Sequence, residues 1–511
     1  MSDGKFYVTT PLYYVNSELH VGSSYTTIAA DILARYHRSH GKEVFFLTGS
    51  DEHGQKILRA ATEKGMKPRE FADSIVATFK DLWKDLGIEY DFFIRTTDAD
   101  HERRVVNLFK KLMDQGDIYL GRYEGPYCTF CETYIKPSEA VDGNCPSCHR
   151  PTETIVEQNY FFRLSKYGER ILKHIDANPN FILPAYRRNE IRNRIEAGLD
   201  DISVSRSSFD WGIPVPGDPH HIIYVWFDAL LNYISALGAS EDETQLRKWW
   251  PADVHLMAKD ILWFHTVIWG AMLMALGYEL PKKVFAHGYW TINADKISKS
   301  KGNIIYPRDV TGKYGRDALR FFMFKEMPFG RDGDFSMPAV DSRYHTELGN
   351  CLGNLVMRSV SMVERYFGGI VPEPSSPDED GDKLAAAAEA LAGKVSAQLE
   401  NLALGEALDT IWEVVRDANK YVEQSAPWTL AKRGETDKLA TVMYYLIETC
   451  RLLLVNLYPY LPDTFANGMP QLGASADTAD LRPQEKWGLT KPGTKVSKGA
   501  ALFPRIEEKK A

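Results

Sequence analysis

Four of the six cysteines sit in one short stretch, as Cys128-x-x-Cys131 and Cys145-x-x-Cys148. Each pair can turn two thiols to one side of a tight knuckle, and two knuckles close a sulfur tetrahedron around Zn2+. Gly143, Pro146 and Ser147 supply the turn residues. Disulfides or unrelated buried thiols are the competing readings. A chain of 511 residues with six cysteines has no need of covalent staples. Its start, Met1-Ser2-Asp3-Gly4-Lys5, lacks the basic and apolar regions of a signal peptide. In a reducing cytoplasm such paired cysteines bind metal, so Cys128, Cys131, Cys145 and Cys148 are expected to hold one structural zinc. Four cysteine ligands leave no open position for catalysis. His149 is an alternative ligand, but the spacing favours Cys148. Cys351 and Cys450 lie on helical patterns and fit core positions.

Around the knuckles the chain alternates strand and helix. Residues 5–14 read as a strand, 20–37 as a helix ended by Gly41, 43–47 as a second strand and 48–54 as a polar loop. Strand signals return at Ile222–Trp226, Val254–Ala258 and Val284–Ala286, with helices after Asp228 and Asp260. From about Leu348 onward the apolar period is helical, with one face at Leu404, Leu408, Ile411, Val415, Ala418 and Val422. Leu439–Leu454 and the Ala-rich run 385–392 mark further helices, 368–382 reads as a linker, and 479–500 as a polar tail over the surface. The expected fold is α/β: a Rossmann-like, doubly wound parallel sheet split by a small zinc-knuckle insertion and followed by an all-α bundle. The expected divisions are 1–115 and 221–290 for the two sheet halves and 116–220 for the insertion. A lysine-rich linking region follows at 291–345, then the bundle and tail at 346–511.

The net charge of −8 does not by itself call for a nucleic acid, although a local basic stripe would suffice. Ile261–Tyr278 runs 18 residues without Asp, Glu, Lys or Arg, the lower limit for crossing a membrane. Asp260 and Glu279 close it tightly, so it reads as a buried helix and no membrane is expected.

Three further motifs carry chemistry. Leu19-His20-Val21-Gly22-Ser23 opens the first helix, where backbone N–H groups attract phosphate and Gly permits close approach. Alone it is an ordinary cap. Lys296-Ile297-Ser298-Lys299-Ser300-Lys301-Gly302 can wrap polyphosphate with mobile charges, or be a solvated basic loop. Tyr14, Asp51, Trp226, Tyr233, Phe264, His265 and Trp269 cluster near strand ends, where ligands bind in this architecture, although each alone would pass as core.

In combination and in this order, these features resemble the methionyl branch of the class I aminoacyl-tRNA synthetases. The resemblance covers essentially the whole chain. Its segments are PLYYVNSELHVG (11–22), FLTGSDEHG (46–54), the knuckles, YVWFDALLNYI (224–234), KDILWFH (259–265), HGYW (287–290) and KISKS (296–300), with LGNLVMR (352–358) and QSAPW (424–428) in the bundle. The resemblance implies a ligase that joins ATP and L-methionine into methionyl-adenylate, then moves the methionyl group to the 3′-terminal adenosine of tRNA(Met). It implies that His20, Lys296 and Lys299 are catalytic. Gly22, Ser23, His287 and Gly288 would complete the ATP site, with Mg2+ accompanying ATP. Asp51 would hold the α-ammonium. Leu12, Tyr14, Trp226, Leu230, Tyr233, Phe264, His265 and Trp269 would line the side-chain pocket. Asn354, Arg358 and Trp428 would read a CAU anticodon, Trp428 by stacking. Two positions depart from the family pattern. Ser23 replaces the second signature histidine and cannot carry its charge. Ile297 replaces a methionine. A synthetase of other specificity and a catalytically silent RNA-binding relative are the alternatives; retention of His20, Asp51 and Lys299 argues against the second. A cytoplasmic monomer is expected.

Overall fold

Pro11 has no N–H to give a neighbouring strand, and the first strand is irregular where it falls. In the computed structural model, which describes residues 4–129, 133–135, 140, 142–146, 148–293, 295–297 and 304–506, β1 (Lys5–Tyr14) pairs in parallel with β2 (Glu43–Asp51). Lys5 faces Glu43 and Thr9 faces Leu47; then β1 carries one extra residue, and the ladder resumes from Leu12 opposite Gly49 to Tyr14 opposite Asp51. The expected loop at 48–54 therefore begins later. Thr48, Gly49 and Ser50 are buried, and their backbone is satisfied by β1 on one side and β3 (Phe92–Arg95) on the other.

Three more strands complete the sheet: β4 (Ile182–Leu183), β5 (Val254–Ala258) and β6 (Val284–His287). The order is β3-β2-β1-β5-β6-β4, all parallel. The winding reverses between β1 and β5, which opens a crevice at the C-terminal ends of those strands. β4 comes from the 116–220 stretch, so that stretch is rooted in the main sheet. One antiparallel sheet is built on the long pair Ile118–Cys128 and Glu153–Phe162, while Ser205–Arg206 and Pro214–Val215 belong to a second. The strand expected at Ile222–Trp226 stops at Ile223, in a small antiparallel side sheet; Trp226 is on the helix Val225–Leu230.

The apolar run after Asp260 is not one helix. It is a 3-10 turn (Lys259–Ile261), a π-helical turn (Phe264–Ile268) and an α-helix (Trp269–Leu276). The Ala-rich run is divided at Ala390 between Glu379–Glu389 and Leu391–Glu400. Thr436–Leu457 is long and apolar enough to cross a membrane, but 94% of its most apolar window is buried inside the bundle. The tail is not merely laid over the surface. Glu448, fully buried, pairs with Arg451 and accepts the N–H groups of Leu489 and Thr490. Arg451 donates to the carbonyls of Gln484 and Lys486.

The bundle is not a body apart from the sheet. One apolar core runs from Phe6 and Val8 through Phe322 to Leu408 and Leu446. At its centre lies the Asp31 carboxylate of α1 (Val21–Ser39). It accepts from Arg35 Nε at 2.8 Å, Arg320 Nη2 at 2.7 Å and the N–H of Glu89 at 2.8 Å. Arg320 in turn donates to the carbonyls of Tyr460 and Pro459, both at 2.8 Å. Burial pushes the Asp31 carboxyl up, but Arg320 and Arg35 outweigh it and hold the group below the ordinary aspartate range. Asp31→Ala would leave the buried Arg320 guanidinium without its paired carboxylate and Arg35 with only the exposed Glu89. The expected loss is about 3–5 kcal/mol of unfolding free energy, read by urea titration.

Candidate functional site

The register of β1 on β2 sets Tyr14 opposite Asp51 at the C-terminal edge of the sheet. Asp51 is buried there, and Lys56 Nζ lies 5.0 Å from the centre of the Tyr14 ring. Across the crevice the Tyr14 ring meets Trp226 edge-on, with centroids 6.5 Å apart. Trp226 stacks on Phe264 at 4.0 Å and meets His265 edge-on. Tyr233 lies against His265 and Trp269. These rings form one contiguous wall, and Leu12 and Leu230 pack in the same cluster.

The polar atoms of His265, Tyr233 and Trp269 are satisfied within the wall or just behind it. His265 Nδ1 lies 2.9 Å from the carbonyl of Ile261, which can only accept, so Nδ1 bears the proton. Nε2 then accepts from the Tyr233 hydroxyl at 2.8 Å. Burial pushes the His265 pKa down to about 4, so the ring is neutral. Behind it, Trp269 Nε1 donates to His255 Nε2 at 3.3 Å, and His255 Nδ1 meets Thr9 Oγ1 at 2.7 Å across the β1–β5 seam. Burial drives His255 well below its ordinary value as well. The π-helical turn widens the helix, so that the consecutive residues Phe264 and His265 reach Trp226 and Tyr233. Thr9 and His255 are absent from the expectations above. Their only signal in the sequence is a polar residue in the middle of each buried strand.

The phosphate-side candidates lie along the start of α1. His20 is its N-cap, and its Nδ1 accepts the N–H of Gly22 at 3.1 Å. A Cβ on Gly22 would come within 2.9 Å of the imidazole, so only glycine lets the ring sit there. Ser23 N–H donates to the carbonyl of His20 at 3.0 Å, and Val21 N–H to that of Ile305 at 3.2 Å. The second contact ties the helix start to the chain that follows the lysine-rich motif. His287 ends β6 with Nδ1 on the carbonyl of Gly288 at 2.7 Å and Nε2 on Thr26 Oγ1 at 2.5 Å. Burial holds it near a pKa of about 4. Gly288 has a packing reason: a Cβ there would lie 2.1 Å from the carbonyl oxygen of Arg331. Lys296 closes the two-residue strand Asp295–Lys296 and faces Thr291 in the ladder. Lys299 lies outside the described residues, as does Cys131.

In the knuckle region the sulfurs of Cys128, Cys145 and Cys148 lie within 4.8 Å of one another, with Cys128 and Cys148 3.5 Å apart. Metal–sulfur bonds of about 2.3 Å give a tetrahedral edge of about 3.8 Å, so these three can hold one thiophilic metal ion. Cys145 N–H donates to the carbonyl of Arg150, and His149 N–H to that of Cys145, both at 2.8 Å. In the bundle, Arg358 lies over Trp428 at 5.7 Å and pairs with Glu423 at 2.9 Å. Asn354 is one helical turn before Arg358.

A buried polar cluster also escapes sequence reading. Asp228 bonds His53 Nδ1 and His101 Nε2, each at 2.7 Å. Its members come from a loop and two helices, with no spacing in common.

The family described as tRNA synthetases class I (M) matches residues 6–157 and 151–360. A methionine–tRNA ligase of Caldanaerobacter subterraneus subsp. tengcongensis is 52% identical over 99% of this chain and 79% of its own length. That of Streptomyces coelicolor is 44% identical over 99% and 97%. A Mycobacterium tuberculosis methionyl-tRNA synthetase in complex with methionyl-adenylate superposes with a TM-score of 0.94 at 39% identity, covering 99% of this chain and 100% of that one. The apo form of the same synthetase gives 0.86 at 36% identity over 99% of each chain.

The neutral histidines make stability depend on pH. Between about 4, the folded value of His265 and His287, and about 6.5, the unfolded value, the unfolded chain binds the protons that the folded chain refuses. The contribution of these two histidines is therefore full above that window and falls as pH drops through it. His287→Gln should remove up to about 1.4 kcal/mol per pH unit of this slope. Urea unfolding at pH 7, 6 and 5 reads the difference.

Proposed function

This chain belongs to the class I methionyl-tRNA synthetases, and we propose that it works through the aromatic crevice between β1 and β5. It activates methionine with ATP to methionyl-adenylate and transfers the methionyl group to tRNA. The observation that carries the site assignment is the ring wall with a neutral His265 bonded to Tyr233 within it.

Methionine offers no strong polar handle, so selection must come from shape and from sulfur against aromatic rings. Tyr14, Trp226, Leu230, Tyr233, Phe264, His265, Trp269 and Leu12 would enclose the thioether. A charged His265 would need solvation that an apolar substrate cannot supply; burial keeps it neutral. Asp51 at the rim would hold the α-ammonium. The methionine carboxylate is already an anion and needs no general base. One carboxylate oxygen attacks the α-phosphorus, a C–O–P bond forms, the Pα–O–Pβ bond breaks, and pyrophosphate leaves.

His20 would serve the phosphates in a defined tautomer. With Nδ1 accepting from Gly22, a neutral ring carries its proton on Nε2, the donor a phosphoryl oxygen requires. Gly22 and Ser23, whose N–H groups are bonded to His20, would let the phosphates approach the start of α1, and His287 and Gly288 would lie along the adenosine. Lys296 and Lys299 would neutralise the leaving pyrophosphate. They and His20 would carry the charge that Ser23 does not. Mg2+ would come with ATP as the counter-ion of its phosphates. In the second step the tRNA 3′-terminal hydroxyl attacks the acyl carbon and AMP departs. Arg358 and Trp428, already in contact, would read the CAU anticodon with Asn354. Cys128, Cys145 and Cys148, with Cys131, would hold zinc as a closed structural site. A cytoplasmic monomer fits this reading.

ATP–pyrophosphate exchange without tRNA, over a panel of amino acids, tests the pocket. Exchange with methionine alone is expected, and Lys299→Ala should slow it by roughly 10²–10³-fold. Exchange driven by another amino acid would sink the pocket assignment, and a loss under about tenfold would remove the loop from catalysis. Metal analysis should find one zinc per chain, lost in Cys145→Ser.

A further inference from the structure

Asp228 is buried in the middle of the catalytic half and belongs to no part of the reaction scheme above. One carboxylate oxygen lies 2.7 Å from His53 Nδ1, the other 2.7 Å from His101 Nε2. His101 Nδ1 continues the line to Ser235 Oγ at 2.7 Å. On the far side of His53, Nε2 lies 3.5 Å from Glu102, which is partly exposed. The His53 ring also packs edge-on against Trp211, whose Nε1 donates to the carbonyl of Glu52 at 2.7 Å.

The placement of these groups gives the cluster a purpose beyond filling space. Asp228 lies between Trp226 and Leu230 on the helix Val225–Leu230, two residues from each. His53 follows Asp51 by two residues, just beyond the end of β2. The carboxylate therefore joins the segment assigned to the substrate ammonium to the segment assigned to its side chain. His101, on the helix Ala99–Asp114, anchors the pair from beneath.

We propose that Asp228 is a positioning residue for methionine: through His53 it sets the distance between the Asp51 end of β2 and the helix bearing Trp226 and Leu230. The proposal rests on the pocket assigned above. An error of about 1 Å in such a distance is enough to cost up to about 10²-fold in a site that selects by shape.

The charge state sharpens the test. The groups facing His53 are Asp228, Glu102, the Trp211 ring and, through Asp228, His101. Burial pushes His53 down, but Asp228 and then Glu102 outweigh it and raise it to about 10, so the imidazolium persists at neutral pH. In Asp228→Asn the shape is kept and the main counter-charge is lost. His53 then falls toward the neutral range, with the remaining proton on Nε2 toward Glu102 and Nδ1 accepting from the new amide once the other proton leaves.

The experiment is ATP–pyrophosphate exchange on the full chain, with methionine and ATP varied separately between pH 6 and 8.5, beside thermal unfolding. For Asp228→Asn, KM for methionine should rise by about tenfold at pH 7 while KM for ATP stays within about twofold. KM for methionine should climb further with pH in this variant and stay flat in the parent. His53→Gln leaves Asp228 bonded to His101, and should reproduce the methionine-specific rise without the added pH dependence. It carries the same test if Asp228→Asn fails to fold. A lowered melting temperature with both KM values unchanged, or equal rises in the two, would overturn the proposal and leave Asp228 a fold residue. If the parent exchanges with an amino acid other than methionine, the pocket assignment fails first, whatever the variants do.

Discussion

The Asp31 carboxylate is the joint on which the arrangement turns. It faces two guanidiniums inside an apolar core, one from its own helix and one from Arg320. Arg320 passes the connection to the chain at Pro459 and Tyr460, where the long bundle helix ends. A buried ion pair is a poor source of net stability compared with well-packed apolar groups. Its value lies in directionality. Apolar packing alone would let the bundle slide over the sheet by a fraction of a turn, whereas the Arg320 hydrogen bonds fit one placement. Since α1 also carries His20 at its N-cap, about three turns before Asp31, the same helix links the phosphate end of the site to the seat of the bundle.

The residues differ in how openly they announce themselves. β1, Val254–Ala258 and the face of Leu404–Ser425 were legible, because burial on one side or both leaves a period in the sequence. The aromatic residues were legible as a group through their motifs, and the structure brings Tyr14, Trp226, Phe264, His265, Tyr233 and Trp269 into one wall. What the pattern could not give was partnership. Thr48–Asp51 looks like a loop because its residues are small and polar; it is a strand because β1 and β3 flank it. The π-helical turn has the composition of a plain apolar helix. His255 and Asp228 are single polar letters whose partners are up to 246 residues away. The tail looks solvent-bound, yet Glu448 and Arg451 hold it from inside a helix that is apolar over most of its length.

The histidines show how one side chain type is set to opposite tasks. His265, His255 and His287 meet carbonyls, hydroxyls or an indole, and burial strips them of charge. His53 is just as buried but lies between two carboxylates and keeps its proton. The difference is the neighbour, since depth is nearly the same. A neutral wall suits a thioether, while the His53 cation gives buried Asp228 and partly exposed Glu102 something to share.

The single extra residue of β1 decides which layer each of its side chains enters. Before the bulge Phe6 and Val8 pack into the core shared with the bundle, while Tyr7 packs with the crevice layer. After it the parity is exchanged: Tyr13 joins the bundle-side core, and Leu12 and Tyr14 join the crevice. Point substitutions at 12 or 14 would therefore only retune the lining, whereas a change of one in the length of the 10–11 segment would swap inside for outside along the rest of the strand. For this stretch the inherited quantity is a count, odd or even, as much as it is a choice of amino acids.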